Sequence, residues 1–309
     1  MPPRSLLSAR ARTALFDIPT DPDGLMRHYL LSPSDLELIR TRRRDENRFG
    51  LAVHISLLRH PGQGWRDGVV LPAALLDWLG DQLHLRASHL LNYASRGATR
   101  AAHQALAMQC LDLAPFTKTH MAVAEDIATK AAFATDHGVK IVETLIADLR
   151  KHHLVLPSVD TLERLALKGR ARARREAAAA LFDALSPEQR DQLQALLVND
   201  PSVGQTRLTW LRGFPHSTSP ASMTALLDRL KYLRSLGLPP NLGHGLHPDR
   251  LLKFAREGAV APVSLLNDFG ERRRIATVAA QMAEGGAIFR GVDDVFVPDL
   301  VVERACHGV

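Results

Sequence analysis

Two cysteines, Cys110 and Cys306, stand almost two hundred positions apart in 309 residues. Two isolated thiols build neither a disulfide framework nor a metal-ligand pair, so a reducing, cytoplasmic setting is expected. Aromatic residues make up only 5% of the chain. Together with the scarcity of β-branched runs, this argues against an extensive sheet. No segment approaches the ~20 apolar residues of a membrane span, and Met1–Arg12 carries no apolar stretch of signal-peptide length. No membrane partner is therefore expected.

Signatures of catalysis are equally sparse. Gly62-Gln63-Gly64 and Gly243-His244-Gly245 lack the third glycine and the strand–helix frame of a nucleotide loop. His152-His153, and His244 with His247, have no helical i, i+4 partner or neighbouring cysteine to complete a metal site. Asp293-Asp294 reads as a polar turn, since adjacent strand residues face opposite ways. There is no G-x-S-x-G elbow. We expect no catalytic residue, no metal and no cofactor.

What the chain has is Leu, Ala and Arg. Hydrophobic residues reach 46%, enough for a core, and all three residues lose little freedom in a helix. The length suggests two or three domains. Ser32-Pro33-Ser34-Asp35 and Ser186-Pro187-Glu188-Gln189 are helix starts, each a capping serine followed by proline in the first turn. The pattern predicts helices from Asp45 to about Arg59, with Phe49, Ala52, Val53, Ser56 and Leu57 on one face, and from Pro72 to Leu83. A short one follows over Ser88–Tyr93. Further helices are expected at about 118–135, 139–151, 159–184, 187–198, from Pro220, 248–257 and 268–284. Val69–Leu71, Leu154–Leu156 and Val295–Val297 are short apolar runs suited to connections or small edge strands. The fold class expected is all-α, with several helix-turn-helix-like modules in tandem. Boundaries are placed at 1–115, 116–215 and 216–309.

The formal net charge of +6 favours polyanions. The sharpest pattern is Ala87–Ala94, the turn Ser95–Ala98, then a helix from Arg100 to Leu113 capped by Thr99. These are helix-turn-helix proportions. The first turn of the second helix offers Arg100, His103 and Gln104, with Arg96 in the turn, and Arg and Gln can fork onto guanine and adenine edges. Ala102, Leu106, Cys110 and Leu113 would form its apolar back. The same pattern also suits an ordinary helical hairpin with a wet, basic end. A second cluster is Arg40 and Arg42-Arg43-Arg44, with Asn47, Arg48 and Arg59. Its mutual repulsion would be relieved by phosphates, or simply by solvent. Two more clusters are Arg164, Lys168, Arg170, Arg172, Arg174 and Arg175 on the long helix after Pro157, and Arg272-Arg273-Arg274. Four clusters suggest an extended footprint.

Ordered stretches resemble a known family. They run Leu36–Arg40 with Arg42–Arg44, Asn47–Ala52 and Leu57–Gly62. Tyr93–Arg96 follows with Thr99, Arg100 and His103, then Pro157 and Leu162–Leu165. The later ones are Leu226–Leu230, Leu233–Leu238, Arg250-Leu251, Ala255–Gly258 and Arg272–Arg274. In this order the chain resembles the N-terminal region of Tn-three family replicative transposases. The resemblance implies a helical region that recognises terminal inverted repeats in double-stranded DNA. It also implies an Asp-Asp-Glu catalytic centre far downstream, beyond this chain, and so no enzyme activity here. A full-length transposase or a second copy would be the protein partner, in a bacterial cytoplasm at the nucleoid. Where the family pattern has His before the Asn-Arg pair, this chain has Glu46, whose charge disfavours a phosphate. The other readings are a helical interaction scaffold, a standalone repressor of transposition, or a nuclease, for which no carboxylate cluster is present.

Overall fold

A computed structural model describes residues 6–65, 69–93, 97–213 and 219–284. Helices dominate, and the strands among the described residues are the two-residue pair β1 (Asn199–Asp200) and β2 (Gln205–Thr206), joined antiparallel. The all-α expectation holds. The chain divides into two compact units, one of residues 1–132 with 137–170, the other of 133–136 with 171–309.

The first unit begins with α1 (Ala9–Ala14), α2 (Pro22–Tyr29), α3 (Pro33–Arg40), α4 (Asp45–Arg59) and α5 (Ala73–Leu83). A 3₁₀ turn (Ala87–Asn92) then leads into α6 (Gly97–Cys110). Ser32 caps α3 in a full capping box with Asp35, as its sequence suggests. Helix α4 is the axis of this half. All ten residues from Phe49 to Leu58 are buried, so it is enclosed on every side rather than along one stripe. It packs most extensively on α6, then on the 3₁₀ turn and α3. Tyr29, Ile39, Leu75 and Leu79 close the core around it.

The rest of the unit is α7 (Met121–Ala134), preceded by the 3₁₀ turn Lys118–His120, with α8 (Gly138–Lys151) and the first part of α9 (Val159–Asp183). Ala124, Ala128 and Ala132 repeat every four residues on the buried face of α7. A Cβ at Gly169 of α9 would lie 2.6 Å from the carbonyl carbon of Ala128, so only glycine permits that crossing. Buried Glu163 accepts hydrogen bonds from the Leu6 and Leu7 amides and from Arg12, tying down the entering chain. The apolar run Leu154–Leu156 is a connection held by backbone pairing, to Ala114 (Val155 N–H to its carbonyl, 2.9 Å) and to Gly62 (2.8 Å).

The second unit contains the end of α9, α10 (Pro187–Ala195), the β1–β2 hairpin, α11 (Arg207–Arg212), α12 (Pro220–Ser235), α13 (Pro248–Val260), α14 (Val263–Asn267) and a helix over residues 271–284. Ser186 caps α10 with a capping box to Gln189, and Ser219 caps α12. Leu181, Leu193, Leu196, Leu208, Leu266, Ile275, Ala276 and Val278 to Ala280 form its core. The hairpin and α11 carry no apolar period strong enough to read from sequence. The runs Val295–Val297 and Asp293-Asp294 lie outside the described residues.

Candidate nucleic-acid interface

The expected helix-turn-helix pair sits on α4. Helix α6 starts at Gly97, so Thr99 lies inside its first turn instead of capping it. The turn residues Ser95 and Arg96 lie outside the described residues. His103 and Ala107 are the buried residues of α6; of the expected back, Leu106 and Leu113 pack against the core while Ala102 and Cys110 are exposed. The sequence misleads here because His103 counts as polar, yet it is 5% exposed and buried by stacking.

That stack is the centre of the site. His103 lies on the Tyr93 ring at 5.6 Å, and its Nδ1 is 2.9 Å from the Tyr93 hydroxyl. Tyr93 stacks in turn on Trp65, 5.7 Å away and 9° from parallel. The Arg100 guanidinium lies over the Trp65 ring, 5.1 Å from its centroid. His54 of α4 fills in behind Trp65 and Tyr93 at 5.8 and 6.1 Å. The geometry needs glycine at position 50, because a Cβ there would come within 2.1 Å of the Tyr93 ring. Gln104 packs on Gly64 and is half-buried.

Electrostatics locate the neighbouring cations. Burial lowers the pKa of His54 to about 4, and the charges of His103 and Arg100 add to it. Burial lowers that of His103 too, with Arg42 contributing. The Arg42 charge is thus felt at His103, and the Arg100 charge at His54.

Within that turn the arginines differ. Among the described residues, the Arg42 side chain bonds only the neighbouring Thr41 hydroxyl, at 2.8 and 3.1 Å. Arg43 is exposed and makes no hydrogen bond or ion pair among the described residues. Arg44 is exposed, with Glu46 at 3.8 Å. Asn47 is half-buried. Arg48 braces the turn, donating to the Arg42 carbonyl at 2.8 Å and to Asp45 at 3.2 Å. Arg59 belongs elsewhere: it donates at 2.8 and 2.9 Å to Asp35, a carboxylate 1% exposed, and so holds the core.

On α9, Arg164 and Lys168 are exposed, with Glu125 at 3.7 Å from Lys168. Arg170 is half-buried, and Arg172 donates to Glu176 at 2.7 Å. In the second unit, Arg274 donates to the side chain of Gln194 (2.9 Å) and to the carbonyls of Asn267 and Phe269 (both 3.2 Å), a structural clamp. Arg273 pairs with Glu257 and lies over Phe269 at 3.7 Å. Arg272 is exposed near Phe182. Arg174, Arg250 and Lys253 converge on Asp136. Burial alone would raise that carboxyl, but hydrogen bonds from the three cations hold it well below the usual carboxylate range.

A cleft of about 570 Å³ opens beside α2, lined by Asp17, Asp21 and Asp23 with Arg27, His28 and His60. Its acidic lining is the wrong charge for phosphate. Among the described residues no group of three His, Cys, Asp or Glu is placed to hold a metal. No described helix is long and apolar enough to cross a membrane. Trp65 and His54 escaped the sequence reading; the available signal was a tryptophan in a loop of a chain that has only three.

Residues 6–169, essentially the whole first unit, match a family described as a domain of unknown function, DUF4158. The chain is 35% identical over 287 residues to the transposase for transposon Tn501 of Pseudomonas aeruginosa. It is 36% identical over 289 residues to the transposase for transposon Tn3926 of Escherichia coli, and 34% over 287 to that for Tn21 of the same species. Each match covers 93% of this chain and 29% of the relative, so the chain spans under a third of their length. The chain belongs to the DUF4158 family and corresponds to the N-terminal region of Tn-three family transposases.

Proposed function

We propose that these residues bind double-stranded DNA, and that their target is the terminal inverted repeat of a transposon. The observation that carries the reading is the basic turn Arg42–Arg44. It is held in shape by Arg48 and, among the described residues, is largely uncommitted to protein partners. Arg42, Arg43 and Arg44 are assigned to phosphates, with Asn47 and Thr99 beside them, and Arg100 to a base edge. His103 supports Arg100 from within. Gln104, Arg96, Arg164, Lys168, Arg170 and Arg172 are assigned as further DNA contacts. Arg272 and Arg273 add a weaker patch, while Arg274 serves the fold. The reading assigns no strand-cutting chemistry to these residues; in a transposase that falls to residues outside them.

A gel-shift titration against an inverted-repeat duplex and a scrambled duplex tests it. Binding should favour the repeat and weaken steeply with salt. Arg100→Ala should lower the preference, and Arg274→Ala should leave it intact while lowering stability. Equal affinity for both duplexes at physiological salt contradicts the reading. One observation favours a second reading, a protein-docking helix. Helix α12 has no buried residue and exposes Met223 and Leu227 one turn apart. Self-association abolished by Leu227→Glu, with DNA binding absent even at low salt, would favour that reading.

A further inference from the structure

Adjacent arginines repel one another, and a turn that carries them loses entropy each time it gathers them on a phosphate backbone. The turn Arg42–Arg44 is pinned at its two ends. The Thr41 and Arg42 amides close onto the Leu38 and Ile39 carbonyls of α3 at 3.2 and 3.0 Å, and the Asn47 and Arg48 amides of α4 onto the Arg44 carbonyl, both at 3.0 Å. A further bond crosses between those ends. Arg48 reaches back six residues, its Nε donating to the Arg42 carbonyl at 2.8 Å while its Nη1 donates to Asp45 at 3.2 Å. The buried run of α4 begins at the next residue, Phe49, so the brace is anchored in the core. Its charge is balanced by Asp45, and the pair adds no net charge to the basic turn. The sequence pattern groups Arg48 with the contacting arginines; its hydrogen bonds set it apart from them.

We propose that Arg48 is a positioning residue for DNA binding: its two-armed bridge from the Arg42 carbonyl to Asp45 presets the turn so that Arg42, Arg43 and Arg44 meet the phosphate backbone together, while Arg48 itself touches no phosphate. This rests on the DNA-binding reading above. The bridge needs a fork. Nε and Nη1 are fixed in one rigid plane, and the single ammonium of lysine on a flexible stem does not reproduce them.

The test titrates the whole chain against a mixed-sequence duplex over a range of salt, since phosphate contacts carry no sequence information. Arg48→Lys keeps the charge, and Arg48→Met keeps only the stem. Each should weaken binding about tenfold with the slope of log affinity against log salt unchanged, because the same phosphates are still met. Tenfold is about 1.4 kcal/mol, the order of fixing the backbone of one residue. With Arg42, Arg43 and Arg44 already replaced by Ala, Arg48→Lys should cost no further affinity at low salt, because the brace then has nothing to present. If one of the two variants does not fold, the other decides. Wild-type affinity in Arg48→Lys, or a slope flattened by about 0.9 in Arg48→Met, makes Arg48 a phosphate contact and overturns the proposal. Unchanged affinity in both, with only a lower melting temperature, overturns it too, as does a tenfold loss that persists in the Ala background. Each of these leaves DNA binding in place. No binding of the wild-type chain to duplex even at low salt overturns the DNA reading, and the proposal with it.

Discussion

Two regions of the molecule use arginine in opposite ways. Around α4 and α6 of the first unit, Arg42, Arg43 and Arg44 project from a turn with few protein acceptors in reach. In the second unit, Arg174 and Arg250 share Asp136, Arg207 pairs with Asp200, Arg212 donates to the Gly258 and Ala261 carbonyls, and Arg274 binds three acceptors. The lesson is that a count of positive charges does not locate a nucleic-acid surface. What locates it is the set of cations the protein has not already used.

This contrast can be broken by mutation. The largest effect is expected at Asp136→Ala, which removes the carboxylate shared by Arg174, Lys253 and the buried Arg250 (3% exposed). Loss of about 4 kcal/mol is predicted for the second unit, read by urea unfolding, because a buried ion-pair network loses its anion. Arg59→Ala should cost about 3 kcal/mol by stranding buried Asp35, whereas Arg43→Ala, from the same basic stretch of sequence, should change stability by less than about 0.5 kcal/mol. Equal effects of Arg59→Ala and Arg43→Ala would erase the distinction between used and unused cations. A smaller effect concerns pH. Folding lowers the His54 pKa to about 4, so as pH falls the unfolded chain takes up the proton first. Stability should be full above pH ~6.5 and decline towards pH 4 by about 3 kcal/mol, and His54→Phe should flatten that decline in unfolding midpoints measured across the range.

Much of the scaffold was legible because its signals are local. Ser32-Pro33 and Ser186-Pro187 announce helix starts through their own side chains, and the structure has α3 and α10 there. The span Asp45–Arg59 is a helix over those residues. The burial of every residue from Phe49 to Leu58 was less legible, since His54 lies off the expected apolar face and yet is 0% exposed. The start of α6 was misjudged for a related reason. Thr99 looks like a cap, but the helix begins at Gly97, and the inward face is set by the Tyr93–His103 stack, a contact across ten residues that no periodicity encodes. The α9 and 272–274 clusters could be listed from sequence, but their ion-pair partners, such as Glu257 for Arg273, come from tertiary structure alone.

The most direct test is the slope of log affinity against log salt for duplex DNA, measured for the whole chain and two triple variants. Each phosphate neutralised contributes about 0.9 to the slope. Replacing Arg42, Arg43 and Arg44 with Ala should flatten it by about 2 to 3. Replacing Arg272, Arg273 and Arg274 should flatten it by less than about 1, because two of those three are committed within the protein. A slope unmoved by the first triple, or moved more by the second, would contradict the account.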